Sequence, residues 1–95
     1  MAEVKILWSK RSRTDLEEKI DYISKDSPAV ARNFAAKIIE ATTILETFPT
    51  LGRNVPEYTD PALREILYRN HRIVYHLSGS VATIVTIFHG SKLLT

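Results

Sequence analysis

The stretch of residues 63–89, which reads LREILYRNHRIVYHLSGSVATIVTIFH, decides the fold. It contains three runs rich in β-branched and aromatic residues, separated by short breaks at Arg69 and Asn70 and at residues 78–80. Short gaps of turn-forming residues between such runs are typical of antiparallel hairpins. The stretch therefore predicts a three-stranded antiparallel meander. The predicted strands are residues 63–68, 72–77 and 81–88.

The residues before the meander predict a short strand and two helices. Val4, Ile6 and Trp8 alternate with Lys5, which is a strand pattern, and we place this strand at one edge of the sheet. Residues 12–24 carry apolar side chains at intervals of four and three, which predicts an amphipathic helix.

A second helix is predicted from Pro28 to about Phe48. Ser27 is a good N-cap, Pro28 suits the first helical position, and Pro49 stops the helix. Because the connection between the two helices is very short, they should form an antiparallel hairpin. The fold class is therefore α+β: one strand, a helix hairpin and a three-stranded meander, with the helices packed on one face of the sheet.

The segment of residues 49–61 between the second helix and the meander is predicted to be a loop. It contains three of the four prolines and one of the three glycines. A loop of this length in a small domain is often functional, although prolines also suit a plain connection. Both interpretations stay open on the sequence alone.

Composition limits the chemistry that this chain can support. Its 95 residues make one domain, 1–95, and the absence of Cys excludes disulfides, thiolate catalysis and Cys-ligated metals. The three His show no helical ligand spacing, so we expect no metal and no cofactor. No apolar run is long enough to span a bilayer and the N-terminus lacks a signal-peptide pattern, so we expect a cytoplasmic protein without a membrane partner.

Charge is unevenly distributed although the net charge is only +2. Lys and Arg balance Asp and Glu through Phe48, whereas the region from Ala62 onward is basic. Glu65 is its acidic residue, and its basic residues are Arg64, Arg69, Arg72 and Lys92. This asymmetry suits an anionic ligand or an acidic partner. We expect Arg64 and Arg72 to share one positively charged surface.

The order of elements and a set of short motifs resemble the RelE/ParE toxin superfamily of type II toxin–antitoxin modules. The resemblance covers nearly the whole chain, and the ParE-like branch fits best. The N-terminal motifs are Trp8-Ser9, Asp15-Leu16, Tyr22-Ile23, and Ser27-Pro28 with Ala31 and Phe34. The C-terminal motifs are Phe48-Pro49-x-x-Gly52-Arg53, Leu63-Arg64-Glu65, Arg72-Ile73-Val74-Tyr75 and His89-Gly90-Ser91-Lys92.

The resemblance implies a growth-arresting toxin that is neutralised in a hetero-oligomer with its cognate antitoxin. A ParE-like member would inhibit DNA gyrase by binding, whereas a RelE-like member would be a ribosome-dependent mRNA endonuclease. A third interpretation is an inactive member retained as an antitoxin-binding module. We expect a short acidic or amphipathic antitoxin segment to lie against the sheet or the helix hairpin.

Candidate functional residues follow from these alternatives. RNA cleavage needs a proton acceptor or donor and cations on the phosphate, which His89, Arg72 and Arg64 would supply in a RelE-like enzyme, with Glu65 as a possible base. His89 at a strand end is more often a surface or hydrogen-bonded residue than a catalyst, and Arg64 could simply pair with Glu65 on the surface. The residues expected to bind the target or an anion are Arg53, Arg64, Arg69, Arg72, Lys92, Tyr68 and Tyr75.

Overall fold

A computed structural model describes residues 3–90 of the chain. The helices are α1 (Lys10–Ser24) and α2 (Pro28–Thr43), and one 3-10 turn spans Ile44–Glu46. The strands are β1 (Lys5–Trp8), β2 (Arg53–Asn54), β3 (Leu63–Tyr68), β4 (His71–Ser78) and β5 (Val81–His89). They form one five-stranded sheet in the order β1-β5-β4-β3-β2. β1 runs parallel to β5, and every other neighbouring pair is antiparallel.

The predicted α+β class, with its helix hairpin, edge strand and meander, is confirmed. Relative to the sequence prediction, the structure adds one short strand and shortens the second helix, and other boundaries shift by one or two residues. The predicted loop contains the two-residue strand β2, which pairs with β3 through Arg53–Glu65 and Asn54–Arg64. The second helix ends at Thr43 rather than near Phe48, and the chain tightens into the 3-10 turn.

The early end of α2 has a local cause in its threonines. The hydroxyls of Thr42 and Thr43 both donate to the carbonyl of Ile39, at 2.8 and 2.9 Å. Such bonds from Ser or Thr back to the preceding turn compete with the helical backbone pattern and weaken or bend a helix. The apolar period that predicted a longer helix carries no information on this competition.

Helix α1 is fixed to strand β5 by two polar side chains. Ser9 caps the helix by accepting from the N–H of Ser12 at 3.0 Å, and its hydroxyl donates to the carbonyl of Val85 at 2.9 Å. Asp15 accepts from the Thr86 hydroxyl at 2.6 Å and from the Ile87 N–H at 3.1 Å. These bonds reach β5 at residues 85–87, beyond Ile84, which is the last residue of β5 that pairs with β1.

The hydrophobic core lies between the two helices and one face of the sheet. Its buried residues are Phe34, Ile38, Leu45, Ile73, Tyr75, Ala82, Ile84 and Ile87. Leu16, Ile20 and Ile23 of α1 pack against this cluster, as the predicted amphipathic pattern requires. We call this side of the sheet the helix-covered face and the other side the opposite face.

Candidate functional site

Strand alternation places Arg64 and Arg72 on different faces of the sheet. Arg64 lies directly across from Tyr75, a residue of the core, so it belongs to the helix-covered face. Arg72 lies across from Leu67, two residues along β3 from Glu65, so it belongs to the opposite face. The expectation of one positively charged surface shared by Arg64 and Arg72 is therefore wrong. Each strand was predicted correctly, but the register between strands assigns the faces.

Four charged side chains form a continuous network on the opposite face. The Glu65 carboxylate, which is 0% exposed, accepts from Arg53 Nε at 2.7 Å through one oxygen and from Arg72 Nε at 2.7 Å through the other. Glu57 accepts from Arg72 Nη1 at 2.7 Å and from Nη2 at 2.6 Å. The two carboxylates and two guanidiniums alternate along the network, which lets a fully buried carboxylate remain compensated.

Arg72 is the central group of this network. Its side chain is 7% exposed, and its guanidinium carbon lies 4.9 Å from the centre of the Phe88 ring. The hydrogen bonds that Arg72 donates to Glu57 raise the pKa of Arg72 above its ordinary range, burial opposes that rise, and Glu65 adds to it. Arg72 therefore stays charged and well oriented at every relevant pH.

Arg64 hydrogen-bonds to the loop of residues 49–61 and is not part of this network. Its Nη1 donates to the carbonyl of Gly52 at 2.8 Å and to that of Thr50 at 3.4 Å. These bonds satisfy backbone acceptors where the loop turns into β2. The structure thus separates Arg64 from Arg72 and His89, the other two candidate catalytic residues.

A shallow depression of about 300 Å³ brings most of the remaining candidates together. It lies at the end of the β3–β4 hairpin beside the end of β5. The residues that line it are Arg53, Leu67, Arg69, Asn70, His71, Arg72, His89 and Gly90. Three guanidiniums border one small concavity, and two of them, those of Arg53 and Arg72, are ion-paired with the carboxylates of Glu65 and Glu57.

Two histidines form one wall of the depression. The ring centres of His71 and His89 are 5.9 Å apart, and His71 also lies edge-on to Phe34 at 5.1 Å. Burial lowers the pKa of His71, and the charges of Lys19 and His89 lower it further. His71 Nδ1 is buried without a hydrogen-bond partner among the described residues. This environment disfavours protonation of His71, which suits either a proton acceptor or a packed ring.

The predicted aromatic candidates lie away from the depression's lining. Tyr75 is 0% exposed, and burial raises its pKa, while the hydrogen bond with Gly52 and the charge of Arg64 lower it. Tyr68 lies edge-on to Phe34 at 6.2 Å, and Arg69 lies 5.7 Å from its ring centre. Lys92 lies outside the described residues.

Sequence reasoning missed Glu57 as a functional candidate. It lies in the proline-containing loop, where no hydrophobic period relates it to Arg72 fifteen residues later. Glu65 was proposed as a possible base, and the structure places it beneath two guanidiniums with no exposed surface. The one signal available was the Arg–Glu alternation across β3 and β4, which predicts ion pairing only once the register is known.

The described part of the chain contains neither a cluster of metal-ligating side chains nor a helix that could span a bilayer. No three His, Asp or Glu side chains within residues 3–90 are grouped closely enough to hold a metal ion. Over the same residues, neither helix has the length and apolar character that crossing a bilayer requires.

The chain matches a known family along most of its length. Residues 6–94 match the family described as "ParE toxin of type II toxin-antitoxin system, parDE". The chain belongs to the ParE toxin family. As a ParE-family protein it is the toxin component of a type II toxin–antitoxin module, and membership implies a cognate antitoxin as partner.

This ParE-family toxin is also similar to two individual proteins. It is 28% identical over 89 residues to a protein named Toxin RelE2 from Caulobacter vibrioides, covering 93% of this chain and 97% of that one. A solved structure titled "Chromosomal ParDE TA system from P. aeruginosa" superposes with a TM-score of 0.75 at 21% identity, over 92% of this chain and 96% of the other. The second comparison shows a shared fold.

Proposed function

We propose that this ParE-family toxin arrests growth in the cytoplasm by binding and inhibiting DNA gyrase. The observation that carries the proposal is the separation of the candidate catalytic residues. Arg64 and Arg72 lie on different faces of the sheet, and Arg64 donates to the loop carbonyls of Gly52 and Thr50. Arg72 and His89 border the depression, whose lining does not include Arg64. A phosphoryl-transfer centre needs its proton-transfer group and its cations to converge on one phosphate. A binding surface needs no such convergence. The family match over residues 6–94 supports the same branch.

Purified gyrase tests this proposal. Titrating the toxin into a supercoiling assay should inhibit gyrase or accumulate its cleavage complexes, and Arg69→Asn in the depression should weaken the effect. Lys25→Gln, which removes one exposed charge beyond the end of α1, serves as the matched control. If a large excess of folded toxin causes neither inhibition of gyrase nor accumulation of cleavage complexes, the proposal is rejected.

A second candidate is a ribosome-dependent mRNA endonuclease. The observation that favours it is the position of His89 beside Arg53, Arg69 and Arg72 in one depression, where a phosphate would meet several guanidiniums. Primer extension after induction should then show codon-associated cuts that disappear in His89→Ala. A transcript pool without new cuts during growth arrest excludes this candidate.

A third candidate is an inactive member retained as an antitoxin-binding module. Expression without the antitoxin separates it from the other two, because only an active toxin would stop growth. For all three, we propose a hetero-oligomer in which an acidic or amphipathic antitoxin segment lies on the sheet or the helix hairpin. A toxin that stays monomeric when mixed with its cognate antitoxin would contradict that arrangement.

A further inference from the structure

Glu57 occupies the outer edge of the Arg72 guanidinium in a two-bond fork. Glu57 Oε2 and Oε1 accept from Nη1 at 2.7 Å and from Nη2 at 2.6 Å. Parallel bonds of this kind are the geometry in which arginine recognises a carboxylate most specifically. The loop thus supplies to Arg72 the group that an acidic protein segment would offer.

Arg72 is held in position by contacts that do not involve Glu57. Glu65 accepts from its Nε at 2.7 Å and lies 2.6 Å from its Nη2, and the Phe88 ring lies 4.9 Å from its guanidinium carbon. These partners belong to β3 and β5, which are central strands of the sheet. The guanidinium is therefore a preorganised receptor, and its carboxylate ligand is a separate part of the molecule.

The loop that carries Glu57 is attached to the sheet by hydrogen bonds of other residues. Val55 is 1% exposed and its N–H bonds to the carbonyl of Leu63 at 3.4 Å, while Asn54 Nδ2 donates to the carbonyl of Pro61 at 3.1 Å. These contacts fix both ends of the loop. Residues 58–61 between them are exposed and outside regular structure. Withdrawing the Glu57 side chain would leave the anchors and the core intact.

The network borders an open concavity rather than solid protein. The depression of about 300 Å³ is lined by Arg53, Arg69 and Arg72, and the Arg53 side chain is 59% exposed. An incoming carboxylate can therefore approach Arg72 from the depression, where the partly exposed guanidiniums of Arg53 and Arg69 offer further hydrogen-bond donors.

We propose that Glu57 is an internal competitor for a carboxylate-binding site centred on Arg72, and that an acidic side chain of the target protein displaces it on docking. The inference rests on the proposed function, because the displacing carboxylate is taken to belong to gyrase. A tethered competitor acts at a high effective concentration, so it lowers the apparent affinity of Arg72 for every external carboxylate by the same factor. Partners that bring additional contacts are thereby favoured.

Acetate titration followed by NMR tests the carboxylate site without any target. The Arg72 Nε–Hε resonance should shift saturably with acetate in Glu57→Gln, with a midpoint at least tenfold lower than in the wild-type protein at constant ionic strength. Glu18→Gln, which makes the same charge change at an exposed position on α1, should behave as wild type. Equal midpoints in Glu57→Gln and wild type, or no Arg72 shift in either, overturn the proposal.

Two further measurements keep the result decisive. If Glu57→Gln does not fold, Glu57→Asp retains the charge on a shorter side chain and should give an intermediate midpoint; a wild-type midpoint overturns the proposal. In the gyrase assay, Glu57→Gln should inhibit at a concentration at least threefold lower than wild type. Unchanged potency overturns displacement on docking. If wild type does not inhibit gyrase, the proposed function fails, while the acetate midpoints alone decide whether Glu57 competes at Arg72.

Discussion

The hydroxyl of Tyr75 accepts a hydrogen bond from the backbone N–H of Gly52 at 3.0 Å, and it donates to the carbonyl of Pro49 at 2.6 Å. A core residue of β4 therefore holds the start of the loop that carries Arg53 and Glu57. The fit is close, because a Cβ placed on Gly52 would lie 2.7 Å from the Tyr75 hydroxyl and ring edge and 2.7 Å from the Glu65 carbonyl.

Gly52→Ala should lower the free energy of unfolding by about 1–3 kcal/mol, because backbone and a buried ring must move to admit the methyl group. Urea denaturation measures the change. Gly79→Asn is the control: Gly79 has a φ of 58° with nothing within 4 Å of its Cβ position, and Asn tolerates that backbone region. If the two variants have equal free energies of unfolding, the close contact with Tyr75 does not exclude a side chain at position 52.

Asp15→Ala should detach the start of α1 from β5. It removes the acceptor for the Thr86 hydroxyl at 2.6 Å and for the Ile87 N–H at 3.1 Å, which predicts a loss of about 1.5–3 kcal/mol in thermal or urea unfolding. Asp15→Asn keeps one acceptor oxygen and should lose less. The exposed Glu17→Gln on the same helix should stay within about 0.5 kcal/mol of wild type, and an equal loss there would contradict this assignment.

Glu65→Gln should be among the most destabilising single-charge changes in the sheet. The buried Glu65 carboxylate bonds to both Arg53 and Arg72, and breaking a buried ion pair from one side costs about 3–5 kcal/mol because the other charge remains. Chemical denaturation of the two single variants, Glu65→Gln and Arg53→Gln, compares their free energies of unfolding. The Arg53 side chain is mostly exposed, so its loss should cost much less. The reverse order would show that Glu65 is not the centre of the network.

Acidification should destabilise the fold through His71. Its pKa is lowered in the folded state by burial, Lys19 and His89, so the unfolded chain binds more protons as pH falls below the ordinary His value of about 6.5. The titration of His71 therefore leaves the free energy of unfolding unchanged above that pH and lowers it increasingly below that pH. Stability measured from pH 8 to pH 5 should fall less steeply in His71→Phe than in wild type. Parallel profiles would exclude His71 as the cause.

Arg69 offers a way to remove charge from the depression without loss of stability. It has a φ of 52° in the β3–β4 turn, a region that Asn adopts more readily than Arg. Arg69→Asn should keep the melting temperature at or above the wild-type value. Binding to an acidic target should weaken in surface plasmon resonance, with a smaller dependence on salt. A lower melting temperature would contradict the first expectation, and unchanged affinity the second.

The sequence was most informative where periodicity and turn chemistry act locally. The β-branched runs predicted the strands of residues 63–68 and 81–88 to within one residue of β3 and β5. Ser27 and Pro28 predicted the start of α2, where Ser27 accepts from the Val30 N–H at 3.2 Å. These features depend on a few neighbouring residues, which is why they can be read without knowing the fold.

The site was less predictable because it depends on contacts between distant segments. Arg64 and Arg72 are both basic residues on adjacent strands, and only the β3–β4 register places them on different faces. The approach of Glu57 to Arg72 depends on the path of a loop without hydrophobic period. Likewise, the parallel pairing of β1 with β5 joins residues whose sequence positions differ by 76, as in the Lys5–Val81 pair.

That last pairing has a consequence for how the toxin is made. β1 is synthesised before every other described element, yet the strand that receives it is β5, which is synthesised after them all. Pairings between sequence-distant strands form slowly and expose unpaired edges until they close. The nascent chain therefore holds an incomplete sheet, with the edges of its early strands unpaired, until β5 has been synthesised and can receive β1.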